Sequence, residues 1–201
     1  MRGDMMHAVT TWWRSLAFGL AAVAVCAPSA LAQSMPYAEK LQQCGVCHGE
    51  DGNSKMENIP SLAGQPEFFV LNQLFLMREG VRKVDSMAPL VKDLKDEELA
   101  ALAKHFNKLP PKSSDESVDP ALVKRGAELS ASRRCGSCHL PNLAGQEQMP
   151  RLAKQRIDYL IFTMKSYRDT PRPGADTAMS AAVAGLTDAD LTALAHYAAS
   201  L

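Results

Sequence analysis

Cys44-Gly45-Val46-Cys47-His48 and Cys135-Gly136-Ser137-Cys138-His139 decide how this chain is read. Both are C-x-x-C-H strings. With 5 Cys and 5 His in 201 residues, chance supplies only about 0.003 such strings. The pattern is the attachment signature of haem c, in which two thiols form thioethers and the adjacent imidazole reaches the iron. Cys44, Cys47, Cys135 and Cys138 are therefore the expected attachment points of two haem c groups. His48 and His139 are the expected proximal axial ligands. Other uses of paired thiols fit less well. A shared zinc site would have to join pairs 87 residues apart and would leave each adjacent His unexplained. A thioredoxin-like pair needs a βαβ setting, and no strand pattern surrounds either string.

The front of the chain carries Arg2 and Arg14, an uncharged apolar run from Leu16 to Ala27, and Ala30-Leu31-Ala32 before Gln33. These are the three parts of a secretory signal peptide, residues 1–32, cleaved after Ala32. The run is shorter than the ~20 residues a spanning helix needs. Cys26 falls within it, and Val25 is not the small residue a lipoprotein anchor wants before its Cys. Export agrees with haem attachment, which needs reduced thiols outside the cytoplasm. The expected location is the periplasm, and the mature chain runs from Gln33 to Leu201.

The mature chain is one unit written twice. Pro60-Ser61-Leu62-Ala63-Gly64-Gln65 matches Pro150-Arg151-Leu152-Ala153-Lys154-Gln155. The run Leu94 to Ala103 matches Leu186 to Ala195. Domains are expected at 33–109 and 120–201, joined by a linker at 110–119 rich in Pro, Ser and charge. Helical signals dominate both. Ser34 with Pro36 opens a first helix running to Cys44. Asp119 as N-cap with Pro120 at the first helical position opens its counterpart, running to about Arg134. Second helices are expected over Pro66–Gly80 and Arg156–Arg168, and terminal helices from near Lys95 and Thr187. Thr187-x-x-Asp190 resembles a capping box. The fold class is all-α.

A haem with one protein ligand is open to small molecules, whereas a second strong ligand closes it. Among the methionines of the mature chain, Met87 lies 39 residues after His48 and Met179 lies 40 after His139. Each is placed in a loop seven residues before Leu94 or Leu186. Met77 and Met164 fall on helices in different registers and read as core, and Met56 and Met149 are not equivalent. His105 and His196 compete as ligands, but neither aligns with a His in the other half. Met87 and Met179 are thus the expected sixth ligands.

Motif, Pro turn, helix, Met loop and terminal helix follow the order of class I cytochromes c. Two such units in tandem resemble the dihaem cytochrome c4 family, over essentially all of Gln33 to Leu201. The resemblance rests on His48-Gly49-x-Asp51-Gly52, Pro60-x-Leu62-x-Gly64-Gln65, Met87-Ala88-Pro89 and their second-half equivalents. It implies two tandem class I cytochrome c-like domains, each wrapping one haem. It implies that the carbonyls of Pro60 and Pro150 accept the other ring N–H of His48 and His139. It also implies that Phe106 and Tyr197 pack on the first helix of their half. The second copy departs from the pattern, with Leu140-Pro141-Asn142 in the first turn, Lys154 for Gly64, and no Pro after Met179.

The full chain has equal numbers of basic and acidic residues, and nothing in it suggests nucleic acid. The charge is divided, however, at net −4 over 33–119 and +3 over 120–201, a dipole suited to steering encounters with redox partners. The expected function is electron shuttling between respiratory complexes, without enzymatic chemistry. The resemblance implies a quinol-oxidising complex or a dehydrogenase as donor and a terminal oxidase as acceptor. Contact with a membrane would then be peripheral and only through those partners. The alternative is the dihaem electron-accepting subunit of a periplasmic dehydrogenase, such as a sulfide-oxidising flavocytochrome c. A dihaem peroxidase-type enzyme is a more distant one, because it needs an open haem and the paired Met residues argue against that.

Overall fold

The computed structural model describes residues 37–170, 173–174 and 176–201. The leader, its cleavage after Ala32 and the Ser34–Pro36 helix start lie outside the described residues. The first half contains α1 (Tyr37–His48), α2 (Glu67–Arg78), α3 (Ala88–Val91) and α4 (Asp96–Lys108). The second contains α5 (Pro120–Ser132), α6 (Gly136–His139), α7 (Ile157–Asp169), α8 (Thr177–Val183) and α9 (Asp188–Ser200). Among the described residues there is no strand, only an isolated bridge between Gln146 and Met149. No described helix is long and apolar enough to cross a membrane.

Local chemistry explains most helix starts. The Asp119 carboxylate accepts from the N–H groups of Ala121 and Leu122, and Pro120 follows at the first helical position. Asp119→Ala is expected to cost about 1 kcal/mol, the usual worth of such a cap. A lower midpoint of chemical denaturation at unchanged slope would register it. Thr187 and Asp190 form the reciprocal capping box at the start of α9. The start of α7 is different. Its first N–H groups, from Ile157 and Asp158, are held by the carboxylate of Glu116, in the connecting segment. A carboxylate there also opposes the positive end of the helix dipole.

Two first-helix expectations change. α1 runs through the motif to His48, four residues beyond the expected end at Cys44. α5 stops at Ser132, and the second motif forms its own turn, α6. The stop has a clear cause. Arg134 takes φ 57°, its N–H bonds Ala131 O, and the Cys135 N–H reaches back to Ser130 O. That pair of bonds is a Schellman closure, with Arg where Gly is usual.

The copies match in tertiary detail. Arg78 Nη1 donates to Leu94 O at 3.0 Å and to Asp96 at 2.6 Å. Arg168 Nη1 donates to Leu186 O at 2.9 Å, and its Nη2 donates to Asp188 at 2.7 Å. Each arginine thus ties the end of its own helix to the start of the terminal one. In the second half α5 packs closely along α9, with Leu191, Ala193 and Ala195 fully buried. The first half buries Leu99, Leu102 and Phe106 of α4 with Val70 of α2.

The second copy keeps the backbone of the first without its glycines. Gly49, Gly52 and Gly64 have φ of 83°, 73° and 66°, and Leu140, Leu143 and Lys154 take 69°, 53° and 58° at the equivalent places. A side chain in that region costs roughly 1–2 kcal/mol per residue. The compensating bonds are the same in both copies. Gly52 O accepts from Leu62 and Ala63, and Leu143 O accepts from Leu152 and Ala153. Gly64 N–H donates to Phe106 O, and Lys154 N–H to Ala198 O.

Candidate haem sites

The first motif closes α1 and the second forms the short turn α6 just after α5, and both bury their His. His48 and His139 are both buried, at 6% and 7% exposure. Their Nδ1 atoms lie 2.8 Å from Pro60 O and 2.8 Å from Pro150 O respectively. A carbonyl only accepts, so Nδ1 carries the proton and Nε2 keeps its lone pair. Burial holds both imidazoles below their usual pKa, against a smaller opposing effect of the Pro carbonyl. The rings are therefore neutral at physiological pH, the form that ligates a metal.

None of the four motif thiols is in a disulfide. Burial pushes the thiols of Cys44 and Cys135 up. Cys44 and Met87 line one small, largely apolar cavity together with Lys40, Gln43, Leu74, Val91, Leu94 and Leu102. A motif thiol and a thioether thus meet in one place, and the donor set of imidazole, thioether and two thiols in this half fits haem c.

Neither Met lies in the plain loop the sequence suggested. Met87 is the N-cap of α3, which Pro89 helps to start. Met179 sits inside α8, capped by Asp176. Seven residues with three alanines carry enough helical propensity to make a turn there. The Met179 side chain packs on the cluster of Val183, Leu186, Leu191 and Leu194, beside Leu129 and Met164. The competing histidines are engaged elsewhere. His105 meets Phe106 edge to face, and His196 Nδ1 accepts the Asp119 N–H at 3.1 Å.

The Cytochrome c family model matches residues 123–201. Cytochrome c4 of Pseudomonas aeruginosa is 33% identical over 169 residues, covering 79% of this chain and 83% of that protein. The chain belongs to the cytochrome c4 family. The structure of reduced recombinant cytochrome c4 from Pseudomonas stutzeri superimposes with a TM-score of 0.73 at 30% identity, covering 84% of this chain and 100% of that one. A thiosulfate dehydrogenase electron acceptor of Thiomonas intermedia is 30% identical, covering 90% of this chain and 87% of that protein. As a cytochrome c4 the chain is an electron-transfer protein rather than an enzyme, it carries two covalently attached haem c, and its fold is that of class I cytochrome c domains.

Residues 61–65 and 151–155 do more than the sequence reading assigned to them. The Gln65 and Gln155 amides are buried, and each bonds the backbone of the opposite half through both its oxygen and its nitrogen. Their equivalence in the repeat was the signal available. Arg151, also buried, donates to Ala63 O across the same boundary, and burial pulls its guanidinium down to about 10.

Proposed function

We propose that this chain is an exported, periplasmic dihaem carrier whose two irons each keep a His and a Met ligand. In this reading Cys44, Cys47, Cys135 and Cys138 hold the thioethers. His48 with Met87 and His139 with Met179 are the axial pairs, and the Pro60 and Pro150 carbonyls fix the imidazoles. Residues 33–109 and 120–201 act as two haem domains joined by 110–119. Bound there, the iron supplies one-electron exchange between its ferric and ferrous states.

The observation that carries the reading is the duplicated proximal geometry, 2.8 Å in both copies. A ring N–H held by a carbonyl fixes the tautomer and orientation and makes the imidazole a stronger donor. The thioether opposes this by favouring the ferrous form, which raises the potential. Ligands retained in both oxidation states leave little geometry to rearrange per electron. Optical and EPR spectra of the purified protein, with and without carbon monoxide, test this. Two low-spin His/Met signatures and no carbon monoxide adduct are expected. A high-spin or bis-His site would overturn the Met assignment at that haem.

Respiratory partners, a quinol-oxidising complex as donor and a terminal oxidase as acceptor, fit a free carrier. The similarity to a thiosulfate dehydrogenase electron acceptor favours a second reading, in which a periplasmic dehydrogenase is the donor. Rapid reduction by such a dehydrogenase, but not by a quinol-oxidising complex, would select it.

A further inference from the structure

The two halves meet through a crossed pair of glutamines. Gln155 Oε1 accepts the Ser61 N–H at 2.8 Å, and its Nε2 donates to Ser61 O at 2.9 Å. Gln65 Oε1 accepts the Arg151 N–H at 3.0 Å, and its Nε2 donates to Arg151 O at 3.0 Å. A backbone N–H can only donate and a carbonyl can only accept, so each amide has one possible orientation. Gln65, Gln155, Ser61 and Arg151 are all at most 4% exposed. Burial keeps these bonds away from bulk solvent.

What the glutamines hold is specific. The N–H of Ser61 and the carbonyl of Pro60 belong to one peptide group, and that carbonyl accepts from His48 Nδ1. The N–H of Arg151 and the carbonyl of Pro150 belong to another, and that carbonyl accepts from His139 Nδ1. Each proximal imidazole is therefore one peptide plane away from a glutamine of the opposite half. Hydrogen bonds on the two ends of one peptide group polarise each other. An acceptor on the N–H makes the carbonyl more negative, the ring N–H bond stronger and the imidazole more electron-donating.

We propose that Gln155 and Gln65 are positioning residues for the opposite haem, Gln155 acting on His48 and Gln65 on His139. Each stabilises the ferric state across the boundary and lowers the potential of the site it does not belong to. Each site is thus tuned by the half that holds the other, through one short bonded chain. The chains are not identical. Gln155 Oε1 also accepts the Arg156 N–H at 3.0 Å, so its acceptor strength is shared. The proposal rests on His48 and His139 being axial ligands, and failure of that assignment would show in the low-spin spectra of the unsubstituted protein, whatever the potentials.

The test is an NMR redox titration of the holoprotein that follows the haem methyl resonances of each site separately. Gln155→Met keeps length and removes both bonds. It is expected to raise the potential of the His48 haem, changing its reduction equilibrium about threefold, roughly 28 mV for one electron. The His139 haem should stay within a fraction of that. The His48 Nδ1 proton should also exchange faster with solvent. Gln65→Met should do the reverse, moving the His139 haem. Where the Met variant does not fold, Gln155→Asn withdraws the amide by one methylene and should shift the same haem in the same direction. A shift confined to the variant's own half would overturn the proposal. So would equal shifts at both haems, which is what simple loosening of the boundary produces, or no shift at all.

Discussion

Met87→Ala is expected to open one haem to carbon monoxide and to lower its potential by on the order of 100–200 mV, within the ≈0.8 V span that axial ligands control. The effect should be large because a thioether selectively stabilises the ferrous state, and its loss leaves water or no strong ligand in its place. Position makes Met87 the residue to test. It shares its cavity with Cys44, and the surrounding walls are mostly leucine and valine, with Lys40 and Gln43 beside them. Met56, the other methionine near the motif, is 47% exposed and is no candidate for a closed site. Half the haem should bind carbon monoxide, because Met179 is untouched. A variant that bound none, with an unchanged potential, would remove Met87 from the ligand set.

Gly126→Ala is expected to destabilise the second half by about 3 kcal/mol or more, at or beyond the upper end of the usual cost of overpacking. A Cβ built there would lie 2.1 Å from Ala193 O, 2.7 Å from Ala193 C and 2.7 Å from Tyr197 Cβ. Two of these are backbone atoms of α9, so no side-chain rotation relieves the clash. The helices must part where α5 packs along α9. Alanine's better helix propensity returns only about 1 kcal/mol. Gly80 is the control. It has φ 68° and nothing within 4 Å of a new Cβ, so Gly80→Ala should cost only the backbone strain. Chemical denaturation of the two holoproteins would separate them, and similar midpoints would sink the packing argument.

The features legible in the sequence are those set by neighbours along the chain. Asp119 with Pro120, and Thr187 with Asp190, announce helix starts because a side chain three residues away satisfies the first N–H groups. Haem attachment is equally local, five residues at a time. Features set by the rest of the fold were hidden. Arg134 closes α5 in a conformation that no arginine favours, so its residue type gave no warning. The Glu116 carboxylate caps a helix that starts 41 residues later. Gln65 and Gln155 were visible as a matched pair, but a match along the sequence does not say which half an amide will reach.

That crossing has a consequence for how the molecule is assembled. Residue 65 bonds the backbone of residue 151 while its counterpart 155 bonds that of 61, the counterpart of 151. Such reciprocity is the mark of an isologous contact, normally made by two copies of one polypeptide about a two-fold axis. Here both copies are on one chain. The segment between them is fastened to both, through Lys112 to Asp51 and through Asp115 and Glu116 to Arg156 and the start of α7. What would be a dimerisation equilibrium becomes intramolecular, its effective concentration fixed by covalent connection and independent of how dilute the protein is. Both haem c groups are therefore kept together however dilute the protein becomes.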